Sequence, residues 1–309
     1  MDPHVPPVFC GLSTEGPCEP DALPRELDRF VSAGCTAAEI SLQNGFTVCG
    51  GRVKAQEVEA IGRVLARFTL RYTMHGPLGL NLMDADHHDR HVAVARAFIE
   101  VTAALGAAVL IVHGGVWPKG LAAVEFERRR ALEVEALQRL GDEAGRRGVT
   151  LALENLPPIS SIPETHDAWG IAAQLERVAH PQVGATLDLG HAAMTARTRQ
   201  QNLAASVRAM APHVVHVHVQ DQFGHPDGIR VPGHGEALAF GVADLHAPPG
   251  WGDVPLADLL ALVPLREGSV LIYELAPKFF RFIPETVAAL RELAHRVSGT
   301  LPVRVGSLS

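Results

Sequence analysis

TLALENLP (residues 150–157), GATLDLGHA (184–192) and VVHVHVQDQ (214–222) are three short runs that open apolar and close on acids and histidines. Their length and their Val, Leu and Ala content suit strands buried on both faces. Five more runs share the pattern: VFCGLST (8–14), TAAEISLQ (36–43), LRYTMHGP (70–77), AVLIVHGG (108–115) and SVLIYELAP (269–277). Between them lie segments with helical spacing of apolar residues, among them LPRELDRFVSAG, EVEAIGRVLARF, VEFERRRALEVEALQRLGDEAGRRG and ETVAALRELAHRV. The repeat of roughly 25–55 residues fits a strand, a loop and a crossover helix. Eight such units predict an α/β fold, a (β/α)8 TIM barrel in one domain over residues 1–309, with its core at 8–298. No G-x-G-x-x-G follows the first run, which argues against an open doubly wound sheet. Residues 222–254 read as an extended loop after the seventh strand, of a length that usually serves function, and the tail after 299 is expected outside the barrel.

The 309 residues are 47% hydrophobic, enough for one large core, and carry a formal net charge of −7. The absence of a broad basic field argues against a nucleic-acid partner without excluding one. Cys10, Cys18, Cys35 and Cys49 show no C-x-x-C spacing, so reduced thiols are expected rather than a zinc knuckle. MDPHVPPVF has no basic region before an apolar run, and no apolar stretch approaches the ~18 residues of a membrane span. A cytoplasmic protein with no membrane partner is expected.

The chemistry collects at the strand ends. His75 and His113 close the third and fourth runs, Glu154 the fifth, Asp188 with His191 the sixth, His218 with Asp221 the seventh and Glu274 the eighth. In a TIM barrel these ends converge on one rim. Any one of them alone is as well explained by a core hydrogen bond or a helix cap. Six consecutive strands ending in ionisable groups are not, because uncompensated buried charges cost several kcal/mol each. A divalent metal compensates them together, and nitrogen with oxygen donors suits manganese, zinc, cobalt or iron better than calcium. Asp244 and His246 form a D-x-H pair in the long loop whose alternate positions share one side of an extended segment. His216 shares a face with His218 one layer deeper, and reads as a core histidine or one that backs the ligands from behind. The remaining histidines, His166 among them, read as helix or loop residues.

The loops supply further expectations. Lys119, Lys278 and Arg230 would ring the mouth and anchor a phosphate or carboxylate, and Trp117 and Trp251 would stack on a sugar face. Surface solvation and ordinary packing under loops are the competing explanations.

HGP at 75, VHGG at 112, LEN at 153, DLGHA at 188, HVQD at 218, DLHAPPGWGD at 244 and YE at 273 resemble the xylose isomerase-like TIM barrels. That superfamily includes sugar phosphate isomerases and epimerases and the endonuclease IV type of abasic-site nuclease. The resemblance implies that Glu154, Asp188, His218 and Glu274 bind a principal metal and that His75 and His113 hold a second with the bridging Glu154. It assigns His191, Asp244 and His246 to a third, so one to three ions are implied. Two features depart from the nuclease branch: Leu78 stands where an aromatic is expected, and the loops LQNGF and ENLPP lack its arginine and its ENTAG-like motif.

The leading expectation is a metal-dependent isomerase or epimerase on a small polyhydroxylated carbonyl compound, with Glu154 and Glu274 moving the proton next to the carbonyl. A dehydratase or lyase shares that step. The competing reading is a phosphodiesterase on abasic DNA, and a third is a non-catalytic binding barrel. Exposed loops permit a homo-oligomer.

Overall fold

The computed structural model describes residues 8–157, 164–225, 231 and 234–298. Eight strands form a closed barrel: β1 (Val8–Ser13), β2 (Ala37–Ser41), β3 (Arg71–His75), β4 (Val109–His113), β5 (Thr150–Glu154), β6 (Val183–Asp188), β7 (Val214–Val219) and β8 (Ser269–Tyr273). Every neighbouring pair is parallel, and β1 closes the ring by pairing with both β2 and β8. Seven of the eight predicted runs contain their strand, and the sixth misses only its first residue, Val183. The main difference is at β6, which stops at Asp188: the carboxylate accepts from the His191 backbone N–H and caps the next helix, so LGHA belongs to that helix.

The surrounding helices are α1 (Leu23–Ser32), α2 (Ala55–Leu65), α3 (His88–Ala104), α4 (Ala123–Gly145), α5 (Ala168–Val178), α6 (Leu189–Thr198), α7 (Leu203–Met210), α8 (His234–Phe240), α9 (Leu256–Leu260) and α10 (Ile283–Ser298). The long loop after β7 is therefore not wholly irregular, since it contains α8. Among the described residues, no helix is long and apolar enough to cross a membrane. All four cysteines are free.

The apolar core lies between barrel and helices, where Leu110, Leu151, Leu153 and Val217 meet helical residues such as Leu137, Leu140, Ile171 and Leu175. Inside the barrel the period of two stacks a different set. A small apolar plug of Ala37, Val270 and Ile272, with Phe9 against it, fills the lower end. Above it comes a polar layer containing Glu39, Thr73 and His216, joined by hydrogen bonds. The ligand candidates follow at the carboxyl ends. Gly11 permits the tight β1–β2 approach, since a Cβ there would stand 2.0 Å from the Ala37 carbonyl oxygen.

Candidate metal centre

Register brings the first four ligand candidates together. Asp188 pairs with His218 across β6–β7, Glu154 lies beside both His113 and Thr186, and Glu274 follows the last residue of β8. The donor atoms of Glu154, Asp188, His218 and Glu274 all lie within 4.8 Å of one another, and all four residues are buried. Neighbouring groups are pinned to aim them. Asn155 grips the Asp188 backbone, donating to its carbonyl at 3.0 Å and accepting its N–H at 2.9 Å. With Asp188 Oδ1 capping α6, Oδ2 is left over.

Four atoms in this quartet are buried with no hydrogen-bond partner among the described residues: Glu154 Oε2, Asp188 Oδ2, His218 Nδ1 and Glu274 Oε2. One orphaned buried polar atom costs about 1–3 kcal/mol, and more when charged. The quartet contributes one such atom from each of its four members. A divalent cation fits this donor set of three carboxylates and one imidazole.

Two flanking groups share walls with it. His75 Nε2 and His113 Nε2 stand 3.5 and 3.6 Å from Glu154 Oε2. His75 Nδ1 donates to the Gly76 carbonyl at 2.9 Å, so in the neutral ring Nε2 is the nitrogen free to ligate. On the other side, Asp244 Oδ2 lies 3.2 Å from both His191 Nε2 and His246 Nε2. His191 Nδ1 is 3.0 Å from the Asn155 carbonyl, again leaving Nε2 for the site. The D-x-H pair thus converges, although not on an extended segment: Ala243 and His246 have φ of 72° and 47°, so a turn brings the two side chains together. Each trio could hold an ion.

The electrostatics are strongly perturbed. Burial pushes Glu274 up to about 8, against the lowering effect of His218 and His246. Burial also opposes ionisation of Glu154, but His218, His191 and His75 outweigh it and hold that carboxyl well below its usual range. Burial presses His113 down to about 4. The same penalty acts on His75, where Glu154 and Glu39 overcome it and raise the ring to about 9.

A cavity of about 270 Å³ opens onto the centre. It is lined by His75, His113, Glu154, His191, Asp244, His246 and Glu274, by Leu78, Leu156 and Pro157, and by Glu15, Ser41 and Gln43 from the first two strand ends. Asp188 and His218 are fully buried.

The expected substrate anchors are not brought to this cavity. Trp117 packs between Phe126 and His166, with ring centroids 4.7 and 4.9 Å away. Trp251 packs on Phe279 and Phe282. Lys119 is exposed and makes no hydrogen bond or ion pair among the described residues. Lys278 lies over the Phe279 ring, within the electrostatic reach of Asp244. Arg230 lies outside the described residues. Asp221 has a scaffolding place instead of a ligand's. Its two oxygens accept the backbone N–H groups of Gln222, Gly250, Gly252 and Val254 and tie the loop carrying Asp244 and His246 to β7. Gly252 is required there, since a Cβ would meet the Asp221 carboxylate at 2.4 Å.

Sequence reasoning overlooked several residues. Glu39 lies mid-strand in β2, contrary to the expectation that polar groups gather only at strand ends. Gln220 bonds Asp244 at 3.1 Å. Glu133 accepts from the Gly115 backbone and Gln174 and meets His166 at 3.2 Å, so His166 is a buried partner that steadies the loop after His113. Only Glu133 carried a signal: it falls on the buried stripe Glu133, Ala136, Leu137, Leu140, Gly141 and Ala144, where an acid is out of place.

No curated protein matches the chain. Solved structures do. A D-tagatose 3-epimerase-like protein superposes with a TM-score of 0.69 at 18% identity, over 95% of this chain and 100% of its own. D-allulose 3-epimerase from Methylomonas sp., in complex with D-allulose, gives 0.67 at 18% identity over 94% and 96%. A 3-keto-D-glucoside 4-epimerase from E. coli gives 0.66 at 16% identity over 92% and 99%. At such identities the likeness is one of fold. A family model for the xylose isomerase-like TIM barrel matches residues 27–294. That match spans most of the chain, from within α1 to α10, and covers seven of the eight barrel strands, so the chain belongs to the xylose isomerase-like TIM barrel family.

Proposed function

We propose that this protein is a divalent-metal-dependent epimerase or isomerase of small ketoses or related polyhydroxylated carbonyl compounds. The observation that carries the reading is the set of four orphaned donor atoms, on Glu154, Asp188, His218 and Glu274, beneath a cavity of about 270 Å³. That volume lies near the lower end of the small-molecule range. The fold shared with D-tagatose-, D-allulose- and 3-keto-D-glucoside-epimerase structures supports the same direction.

A divalent ion, when bound, supplies Lewis acidity to a carbonyl and its neighbouring hydroxyl. The chain's own residues supply the rest. Glu154 and Glu274 stand three strands apart around the barrel, so the two carboxyls approach a substrate from different sides. One carboxylate takes up the proton next to the carbonyl, and the other, protonated, gives its own proton to the opposite face or the adjacent carbon. The opposed shifts of the two groups separate a base from an acid in the ion-free site. Leu78, Leu156 and Pro157 provide apolar wall for the carbon skeleton, while Glu15, Ser41 and Gln43 offer polar groups to its hydroxyls.

A second reading, a metal-dependent phosphodiesterase of abasic DNA, draws on the two flanking trios, which exceed what isomerisation needs. Leu78 counts against it, because it offers an aliphatic side chain where stacking on DNA needs an aromatic. Metal-loaded protein incubated with a panel of ketoses and with an abasic duplex separates the two. The expected result is epimerised or isomerised ketose with intact duplex; incised duplex with every ketose unchanged would overturn the proposal.

A further inference from the structure

Glu39 is fully buried beneath the four ligand candidates, and both of its oxygens are hydrogen-bonded. Its Oε1 lies 3.0 Å from His218 Nε2, and its Oε2 lies 2.9 Å from His216 Nε2 and 3.0 Å from the Thr73 hydroxyl. It stands below the quartet: neither it nor His216 lines the cavity.

The consequence falls on His218. In the neutral form that can ligate an ion the imidazole carries one N–H, and Glu39 takes it at Nε2. In that form Nδ1 is the free lone pair. That atom is buried, has no hydrogen-bond partner, and stands 3.3 Å from Glu154 Oε1 and 3.5 Å from Glu274 Oε1. The ring is a bridge with one nitrogen anchored underneath and the other facing the three carboxylates.

We propose that Glu39 is the positioning residue of this centre: by accepting the Nε2 proton of His218 from below, it fixes the tautomer and the rotation that turn Nδ1 toward Glu154, Asp188 and Glu274. The inference rests on the quartet being a divalent-metal centre. Glu39 could itself be counted a ligand, since its donor atoms fall within 4.8 Å of those of His216 and His218, and also of those of His75 and Glu274. Three donors already occupy its oxygens, however, and an ion there would have to displace them. His216 and Thr73 hold Glu39 from its other oxygen, so they steady the carboxylate without touching the centre.

The test is Mn²⁺ affinity by calorimetric titration, together with the visible absorption spectrum of the Co²⁺-loaded form. Glu39→Gln replaces the charged acceptor of Nε2–H with a neutral, weaker amide oxygen or turns an amide N–H against the ring, and is expected to weaken Mn²⁺ binding by roughly 10–100-fold and to alter the Co²⁺ spectrum. Thr73→Val removes a different partner of the same carboxylate, and is expected to leave affinity within about threefold and the spectrum unchanged. Should Glu39→Gln fail to fold, Glu39→Asp, whose shorter arm loses reach to His218, is expected to show the same changes to a smaller degree. Wild-type protein that binds Mn²⁺ while Glu39→Gln binds it equally, with an unchanged spectrum, overturns this inference alone. Wild-type protein that binds no Mn²⁺ overturns the metal reading and this inference with it.

Discussion

Replacing Glu274 by Gln lowers turnover of a ketose substrate by roughly 10²–10⁴-fold, the range a positioned general acid or base supplies. The amide keeps the shape of the side chain but neither gains nor releases a proton at neutral pH. Glu274 is 8% exposed at the cavity wall, and its carboxyl is pushed up to about 8 by burial, so it holds a proton at pH 7 in the ion-free protein. Glu154→Gln is expected to lose at least as much turnover, and something further. Its Oε2 faces His75 and His113 while its Oε1 lies 3.3 Å from both His191 and His218. Neutralising it removes a shared wall from two ion-binding groups, so bound metal falls along with rate. In Glu274→Gln the His75, His113 and Glu154 trio keeps all three members. Steady-state kinetics with elemental analysis of each variant checks both statements, and near-normal turnover in both variants contradicts the assignment.

Raising the pH tightens divalent-ion binding, by about tenfold per pH unit for each proton displaced. Burial lowers every imidazole in the cluster, but the carboxylates overcome it at His246, raised to about 10 by Asp244, and at His75, raised to about 9. His191 and His218 are held well above their ordinary value by Asp188 and Asp244 and by Glu274, Glu39 and Glu154. These rings and Glu274 must shed protons to ligate. The sign for stability follows from the same shifts. A raised folded-state pKa stabilises the ion-free fold fully below about pH 6.5 for the imidazoles, and that stabilisation is lost as pH climbs through 9 and 10. Bound metal removes the dependence by displacing the protons. The increase in melting temperature on adding Mn²⁺ therefore grows from pH 6 to pH 8.5, reaching about 4 kcal/mol of stabilisation where free ion exceeds Kd a thousandfold. A shift that is constant or shrinks with pH contradicts this.

The barrel was legible because parallel strands covered on both faces must be continuously apolar, and AVLIVH or VLIY leaves few alternatives. Strand ends were legible for the same reason: Glu154 or Asp188 interrupts such a run where burial would otherwise forbid it. Glu39 was not, since an acid inside TAAEISLQ reads equally as an outward-facing surface group. Its partners His216 and His218 are 177 and 179 residues away in the chain. The depth of His216 followed from the period of two. Trp117 and Trp251 show the opposite failure, because a position after a strand says nothing of which way a side chain turns in a loop. Asp244 and His246 do come within 3.2 Å of each other, but the backbone there is left-handed at Ala243 and His246, which no spacing rule reveals.

The central claim is that the orphaned atoms of Glu154, Asp188, His218 and Glu274 surround a divalent ion. Anomalous diffraction from a crystal grown with Mn²⁺ tests it most directly. The expected result is a manganese peak within about 2.0–2.4 Å of one donor atom from each of the four residues. A well-ordered crystal with Mn²⁺ in excess and no peak among those four side chains would contradict it.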